Sequence, residues 1–380
     1  MTEQIGAALR LLYPDGRAIT PDSATDDFSL KSLCENNVYS LTLTPRRAGL
    51  ALAAVEYDIP LPHALTDVTE ELYIYDDSAH TNDFTSVVPY VGNETRTVYN
   101  LAVFKNLRTR KVFLCGLLTA HRFLAMFNLH DGLVTLRFDL EERELHAGEA
   151  YLLERFMVAE GTDNENVLLE AYGDAVAACN GARPDKPLPV GWCSWSCYYG
   201  NVNEEKIRRA ADGQAAYTRA GESNLIQIDD GWQRCGSFCG KWVPDDTKFP
   251  SGLEATGQYV RDRGMTFGLW LAPWLLDDKS DYYGELKHLA REEATLGEHY
   301  HPFELGDPRY LAHLSATFRE MTERYGARYF KLDFLAAAIR FFNGRGDFIR
   351  FRDGFRVEVL RGALQTIRGA VGPGGFLLPW

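Results

Sequence analysis

Four short apolar segments in the second half of the chain each run into polar or aromatic residues, and helical patterns separate them. They are Gly191-Trp192-Cys193-Ser194-Trp195, Leu225 to Trp232, Thr266 to Leu271 and Tyr329-Phe330-Lys331-Leu332-Asp333-Phe334. Helical spacing of apolar residues runs through Asn203 to Ala220, Leu253 to Arg263 and Pro308 to Tyr325. Strands alternating with helices imply βα units and a parallel sheet. Polar side chains gathered at strand C-terminal ends imply a (β/α)8 TIM barrel with its active site on that face. A fifth strand signal, Gly375 to Trp380, follows the Gly372-Pro373-Gly374 turn. A barrel needs eight strands and typically ~250 residues. The expectation for residues 190–380 is therefore the N-terminal part of a barrel, incomplete in this chain.

The first half has another character. All seven tryptophans lie at or after Trp192. Before it, short alternating segments dominate: Val38 to Thr44, Leu50 to Ile59, Val98 to Phe104, Val112 to Leu118 and Leu133 to Leu140. Turn clusters such as Asn128 to Gly132 separate them, the pattern of antiparallel strands in two packed sheets. Asn164 to Ala178 reads as a helix from its i, i+3, i+4 apolar spacing. The three prolines between Arg183 and Pro189 stop it and mark a boundary. The expected organisation is a β-sandwich over 1–162, a linker helix and Pro-rich linker over 163–189, and the barrel part over 190–380.

At 380 residues the chain can bury a core in each half. Its formal net charge of −13 disfavours nucleic acid and anionic membranes, which need clustered Lys and Arg. Met1 to Pro14 lacks the apolar core of a signal peptide, and no apolar run approaches the ~20 residues of a membrane span. Seven cysteines, an odd number in a long chain, suit reduced thiols in a cytoplasm. Asn93-Glu94-Thr95 fits a glycosylation pattern that means little there.

Asp333 and Lys331 stand two apart at a strand end, so alternation points both side chains to the same side, toward the barrel mouth. A neighbouring cation favours the ionised form that a carboxylate nucleophile needs. The alternative is a structural Lys–Asp pair. Asp229 and Asp230 end the second strand before Gly231-Trp232. Adjacent carboxylates beside an indole suit a sugar: oxygens accept from hydroxyls and a ring face packs on C–H groups. An Asx turn closing the strand is the plainer account of the pair. Alternation selects Trp195 and Trp270 for the mouth, and Trp242 follows in a long loop that could wall a pocket. Cys193, Cys197, Cys235 and Cys239 form two C-x3-C pairs; metal motifs more often use C-x2-C, so no metal is expected. His80 and His301 read as loop histidines, and Arg345-Gly346-Asp347 as a turn.

Taken in order, Gly191 to Trp195, Gln227 to Trp232, Trp242, Phe249 to Leu253, Gly268 to Pro273 and Tyr329 to Phe334 resemble the α-galactosidases of glycoside hydrolase family 36. The resemblance runs from about residue 190 to 378. It implies a cofactor-free retaining hydrolase of terminal α-galactosides such as melibiose or raffinose, a small neutral substrate. It implies Asp333 as the nucleophile, Asp229 and Asp230 as the pair holding galactose hydroxyls, and Lys331 as a contact nearby. Trp195 and Trp270 fall in matching motifs. The N-terminal β-sandwich fits by position, and a homo-oligomer is left open without a number.

Two departures matter. Gly240-Lys241-Trp242 stands where relatives often have Gly-Asp-Trp. The family's acid/base aspartate lies on a later strand, in a motif beyond Trp380, so this polypeptide alone is expected to have little activity. A non-catalytic sugar-binding remnant is the alternative from another class. An α-N-acetylgalactosaminidase or a raffinose-type galactosyl transferase is the alternative within the same class.

Overall fold

The computed structural model describes residues 9–20, 26–66, 72–76, 86–90, 95–130, 132–182, 187–217, 223–341 and 348–379. Asn93 and Glu94 of the glycosylation triplet, His80, the stretch 183–186 and Arg345-Gly346-Asp347 lie outside the described residues. The chain divides into two compact units, Met1–Asp185 and Lys186–Trp380.

The first unit is antiparallel. One sheet has six strands, in the spatial order Ala18–Ile19, Leu9–Leu12, Leu50–Pro60, Leu133–Leu145, Leu124–His130 and Arg96–Val98. The other has eight, running from Tyr151–Leu152 through Val38–Pro45, Phe156–Thr162, Lys111–Leu117, Leu101–Asn106 and Leu72–Asp76 to Ser86–Pro89. Phe28–Glu35 pairs with Val38–Pro45 off this path. Period-two burial is clear in Leu124–His130, where Ala125, Phe127 and Leu129 turn inward. The two sheets meet face to face at Phe156, whose ring lies 5.6 Å from Tyr57 and 6.3 Å from Phe138 of the opposite sheet.

The helix Glu165–Asn180 starts at Asn164, whose side chain accepts from the Asn166 N–H, and ends at Gly181 in the left-handed region. Its Leu168, Leu169, Tyr172 and Val176 pack against Val112, Leu114, Met157 and Ala159 of the eight-stranded sheet. The helix read from sequence as a linker is thus a covering element of the first unit's sheet.

The second unit is built on five parallel strands in chain order: β1 (Gly191–Cys193), β2 (Leu225–Ile228), β3 (Thr266–Leu271), β4 (Tyr329–Leu332) and β5 (Phe376–Pro379). Helices α1 (Glu204–Tyr217), α2 (Leu253–Arg261), α3 (Pro308–Glu323) and α4 (Arg356–Val371) occupy the connections. Asp307 caps α3, accepting from the Arg309 N–H, with Pro308 in the first turn. Phe318 of α3 packs edge-on against Phe330 of β4, at 5.3 Å between centroids. Phe330 and Leu332 therefore face the helices, and alternation sends Tyr329 and Lys331 to the other face. A two-stranded hairpin, Leu275–Asp277 with Tyr300–Pro302, fills part of the segment after β3. Among the described residues no helix is long and apolar enough to cross a membrane.

Candidate active site

Parallel strands share a direction, so the residues that follow β1 to β4 collect at one end of the sheet. Asp229, one residue past β2, is 2 % exposed. Its Oδ2 accepts from Gln227 Nε2 at 2.8 Å, Lys331 Nζ at 3.2 Å and the Cys193 thiol at 3.3 Å. Its Oδ1 accepts from the Asp230 N–H at 2.9 Å, and its own N–H donates to Ser194 Oγ at 2.8 Å. A buried carboxylate tolerates desolvation only when paired and hydrogen-bonded in this way. Burial pushes the Cys193 thiol up to about 11, so its sulfur keeps the proton it donates.

Lys331 bridges the two strands. Its Nζ lies 3.2 Å from Asp229 and 3.4 Å from Asp333 Oδ2. Burial works against its charge, but the Asp229 and Asp333 carboxylates hold its pKa above the ordinary lysine value. Asp333 Oδ2 accepts from the Trp270 indole N–H at 2.8 Å, and Oδ1 accepts from the Phe334 N–H at 2.8 Å. The Asp333 carbonyl accepts from Trp274 Nε1 at 2.9 Å. Phe334 itself has φ 56°, an unusual conformation for an aromatic residue, which turns the chain sharply away after the carboxylate. Both oxygens of Asp333 are thus oriented by fixed donors.

Asp230 is less buried than its neighbour. Its Oδ1 accepts from Gln233 Nε2 at 2.6 Å, and Oδ2 accepts from Ser237 Oγ. Gly231, at φ +106°, makes the turn that lets both aspartates reach the strand end, and an added Cβ would sit 2.5 Å from the Gly200 carbonyl oxygen. Lys248 Nζ clamps this turn by donating to the Gly200 and Gly231 carbonyls, at 3.1 and 2.6 Å.

The indoles divide. Trp195 is 39 % exposed and edge-on to Tyr199. Trp232, Trp242 and Trp270 are buried, with centroids 6.1 Å apart for Trp232–Trp242 and 5.7 Å for Trp242–Trp270. The Trp232 N–H donates to the Trp270 carbonyl at 2.9 Å. These rings pack on one another, and Trp270 reaches Asp333 through its N–H. Lys241 points to Glu285 at 3.1 Å. The two C-x3-C pairs do not join. Cys193 donates to Asp229 while the Cys239 thiol donates to the Gly236 carbonyl, and among the described residues no three metal-ligating side chains converge.

Sequence reasoning gave Gln227, Ser194, Gln233 and Ser237 no role, weighed Cys193 only as a metal ligand, and placed Trp274 near a strand end without assigning it to the site. Gln227 had a legible signal, since it stands two residues before Asp229 as Lys331 does before Asp333. The others act across loops or strands, and spacing does not reveal such contacts.

Residues 172–334 match the family model described as melibiase. That span holds β1 to β4 with Asp229, Asp230, Lys331 and Asp333. This stretch of the chain is similar to melibiase. Among curated relatives, an α-galactosidase of Geobacillus stearothermophilus is 27% identical over 145 residues, 37% of this chain and 19% of that protein. One of Escherichia coli is 33% identical over 105 residues, 26% of this chain and 14% of that protein. The matched stretches thus span a fifth or less of those relatives. Among solved structures, a family 36 α-galactosidase variant of G. stearothermophilus with 1-deoxygalactonojirimycin superposes with a TM-score of 0.71 at 15% identity, over 98% of this chain and 61% of that one. The α-galactosidase of Thermus thermophilus with p-nitrophenyl α-D-galactopyranoside gives 0.62 at 19%, over 92% and 71%. At such identities the likeness to structures concerns the fold alone.

Proposed function

We propose that this chain is part of a retaining α-galactoside hydrolase whose nucleophile is Asp333. The observation that carries the reading is the linked set Asp229–Lys331–Asp333, spanning the ends of β2 and β4 inside the melibiase-like stretch. Five parallel strands in chain order support a (β/α)8 barrel, whose chemistry sits at this end. The named relatives are α-galactosidases, which supports the substrate class.

In this reading an Asp333 oxygen attacks the anomeric carbon, forming a covalent glycosyl ester as the bond to the leaving oxygen breaks. A second carboxyl group, ~5–5.5 Å from the nucleophile, protonates that oxygen and then takes a proton from the attacking water. The resemblance assigns that role to no residue of this sequence. Trp270 and Phe334 hold Asp333 in its attacking orientation, which lowers the reorganisation needed in the transition state. Asp230 is the carboxylate open enough to accept from sugar hydroxyls. Asp229, enclosed by its own donors, acts on the sugar through Lys331. Trp195 offers the exposed ring face.

The test is hydrolysis of 4-nitrophenyl α-galactoside by the 380-residue chain, by a version extended through downstream coding sequence, and by the extended version carrying Asp333→Ala. Turnover confined to the extended protein and abolished by Asp333→Ala is the expected result. Undiminished turnover in the Asp333→Ala protein would remove the nucleophile assignment.

A further inference from the structure

The Lys331 ammonium occupies a position that attraction to carboxylates does not by itself explain. Its Nζ lies 3.2 Å from Asp229 Oδ2 and 3.4 Å from Asp333 Oδ2. A cation between two anions has no electrostatic minimum at the middle; it falls toward whichever end offers more unshared charge. Near-equal distances therefore need something that weakens the pull of Asp229, the more deeply buried of the two carboxylates.

Two neutral donors do so. The Gln227 amide donates to Asp229 Oδ2 at 2.8 Å and the Cys193 thiol at 3.3 Å, both on the oxygen that faces Lys331. Asp333 Oδ2 accepts from one neutral side chain, the Trp270 indole N–H at 2.8 Å. Each such donor takes up lone-pair room on its oxygen and spreads the charge there. Gln227 makes the shorter bond of the two on Asp229, and a thiol is the weaker kind of donor. Gln227 is itself buried, on β2 two residues before Asp229, so its amide has a fixed approach. The Oδ1 atoms of Asp229 and Asp333 accept from the backbone N–H groups of Asp230 and Phe334, and Oδ2 is the oxygen each turns to the ammonium.

We propose that Gln227 is a positioning residue: its amide occupies Asp229 Oδ2 and so keeps the Lys331 ammonium shared with Asp333, with Cys193 assisting. The catalytic consequence rests on the reading of Asp333 as nucleophile; the sharing is a property of the folded chain. In that reaction Asp333 loses its charge on forming the glycosyl ester and regains it when water releases the sugar. An ammonium fixed beside it steadies the returning charge.

Two-dimensional 1H–15N spectra of the 380-residue chain read the sharing through the Trp270 indole N–H, whose acceptor is the oxygen that Lys331 approaches. Loss of one resonance in Trp270→Phe identifies it. Gln227→Met keeps the length of the side chain and removes the donor, so Lys331 should move to Asp229. Asp333 Oδ2 then has more charge for the indole, and the Trp270 proton should shift downfield. Cys193→Ala should shift it the same way by less. Asp229→Asn removes the competing charge, draws Lys331 to Asp333 and should shift the proton upfield. The other indole resonances, unmoved, show that each variant is folded. An unmoved Trp270 proton in folded Gln227→Met, or shifts of one sign in Gln227→Met and Asp229→Asn, would overturn the proposal. If Gln227→Met does not fold, Cys193→Ala and Asp229→Asn carry the same test of opposite signs. In the extended enzyme Gln227→Met should lower kcat with KM little changed, and an unchanged kcat would overturn its part in the reaction. Activity that survives Asp333→Ala would remove the nucleophile reading and leave the indole shifts to decide the sharing.

Discussion

At the scale of single residues, the site is organised by Lys331 rather than by any one aspartate. Asp229 is enclosed and gives its Oδ2 to three donors, so truncating it strands a half-buried ammonium and two side-chain donors. Asp229→Ala should lower stability by about 3 kcal/mol, the cost of breaking a buried pair from one side. A denaturant midpoint unchanged from the parent would show the pair to be solvated. The raised pKa of Lys331 also has a direction in pH. Its contribution is full below the unfolded lysine value of ~10.4 and fades as pH climbs through the higher folded value. Thermal melts of the parent should therefore fall more steeply above pH ~10 than those of Asp229→Asn, in which one of the holding charges is gone. Parallel curves would exclude that linkage. Trp270→Phe keeps most of the buried ring and removes the N–H on Asp333. Losing a hydrogen bond to a charged group costs about 1.5–3 kcal/mol, so kcat of the extended enzyme should drop roughly tenfold to hundredfold with KM little changed. An equal rise in KM alone would make Trp270 a binding residue instead. Much of this is legible from alternation, which puts Lys331 on the same side of its strand as Asp333. The burial of Trp232, Trp242 and Trp270 is not, because a short apolar strand does not say which face meets core and which meets solvent.

Elements place these residues through backbone fit more than through propensity. At Gly231 the chain leaves β2 at φ +106° against the Gly200 carbonyl, a geometry no side chain shares comfortably. Gly231→Ala adds left-handed strain and a clash of backbone with Cβ. The expected loss is about 2 kcal/mol or more. Chemical denaturation decides it, and a change under ~0.5 kcal/mol would mean that the turn relaxes freely. The five parallel strands and three of the four long helices of the second unit carried clear signals, because each combines an apolar run with turn residues at both ends. The helix α4 and the hairpin Leu275–Asp277 with Tyr300–Pro302 carry weaker signals. The α4 segment is rich in Arg and Gly, which blurs its apolar stripe. The hairpin strands are three residues each and stand 22 residues apart, held by pairing that no local window contains. The linker reading of Glu165–Asn180 has a similar origin. Its apolar stripe was visible, but the sheet that receives it is assembled from strands far apart in sequence.

For the molecule as a whole, the two units differ in how they end their sheets. In the first, both sheets are antiparallel, face each other through Tyr57, Phe138 and Phe156, and carry a helix over one outer face. Such a unit buries its apolar faces within itself. Residues 1–185 expressed alone should be soluble and unfold in one cooperative transition, with calorimetric and van't Hoff enthalpies in agreement. The second unit has a large core, yet among the described residues β1 and β5 each pair on one side only. Parallel strands with an unpaired edge and buried faces are templates for pairing with another chain. Residues 186–380 alone should therefore self-associate as concentration rises, and light scattering would show it. An extension that supplies strands to those edges should restore a single species. A stable monomer of residues 186–380 at high concentration would mean that β1 and β5 are protected by their own loops, and the case for a barrel completed by further strands would lose its physical ground.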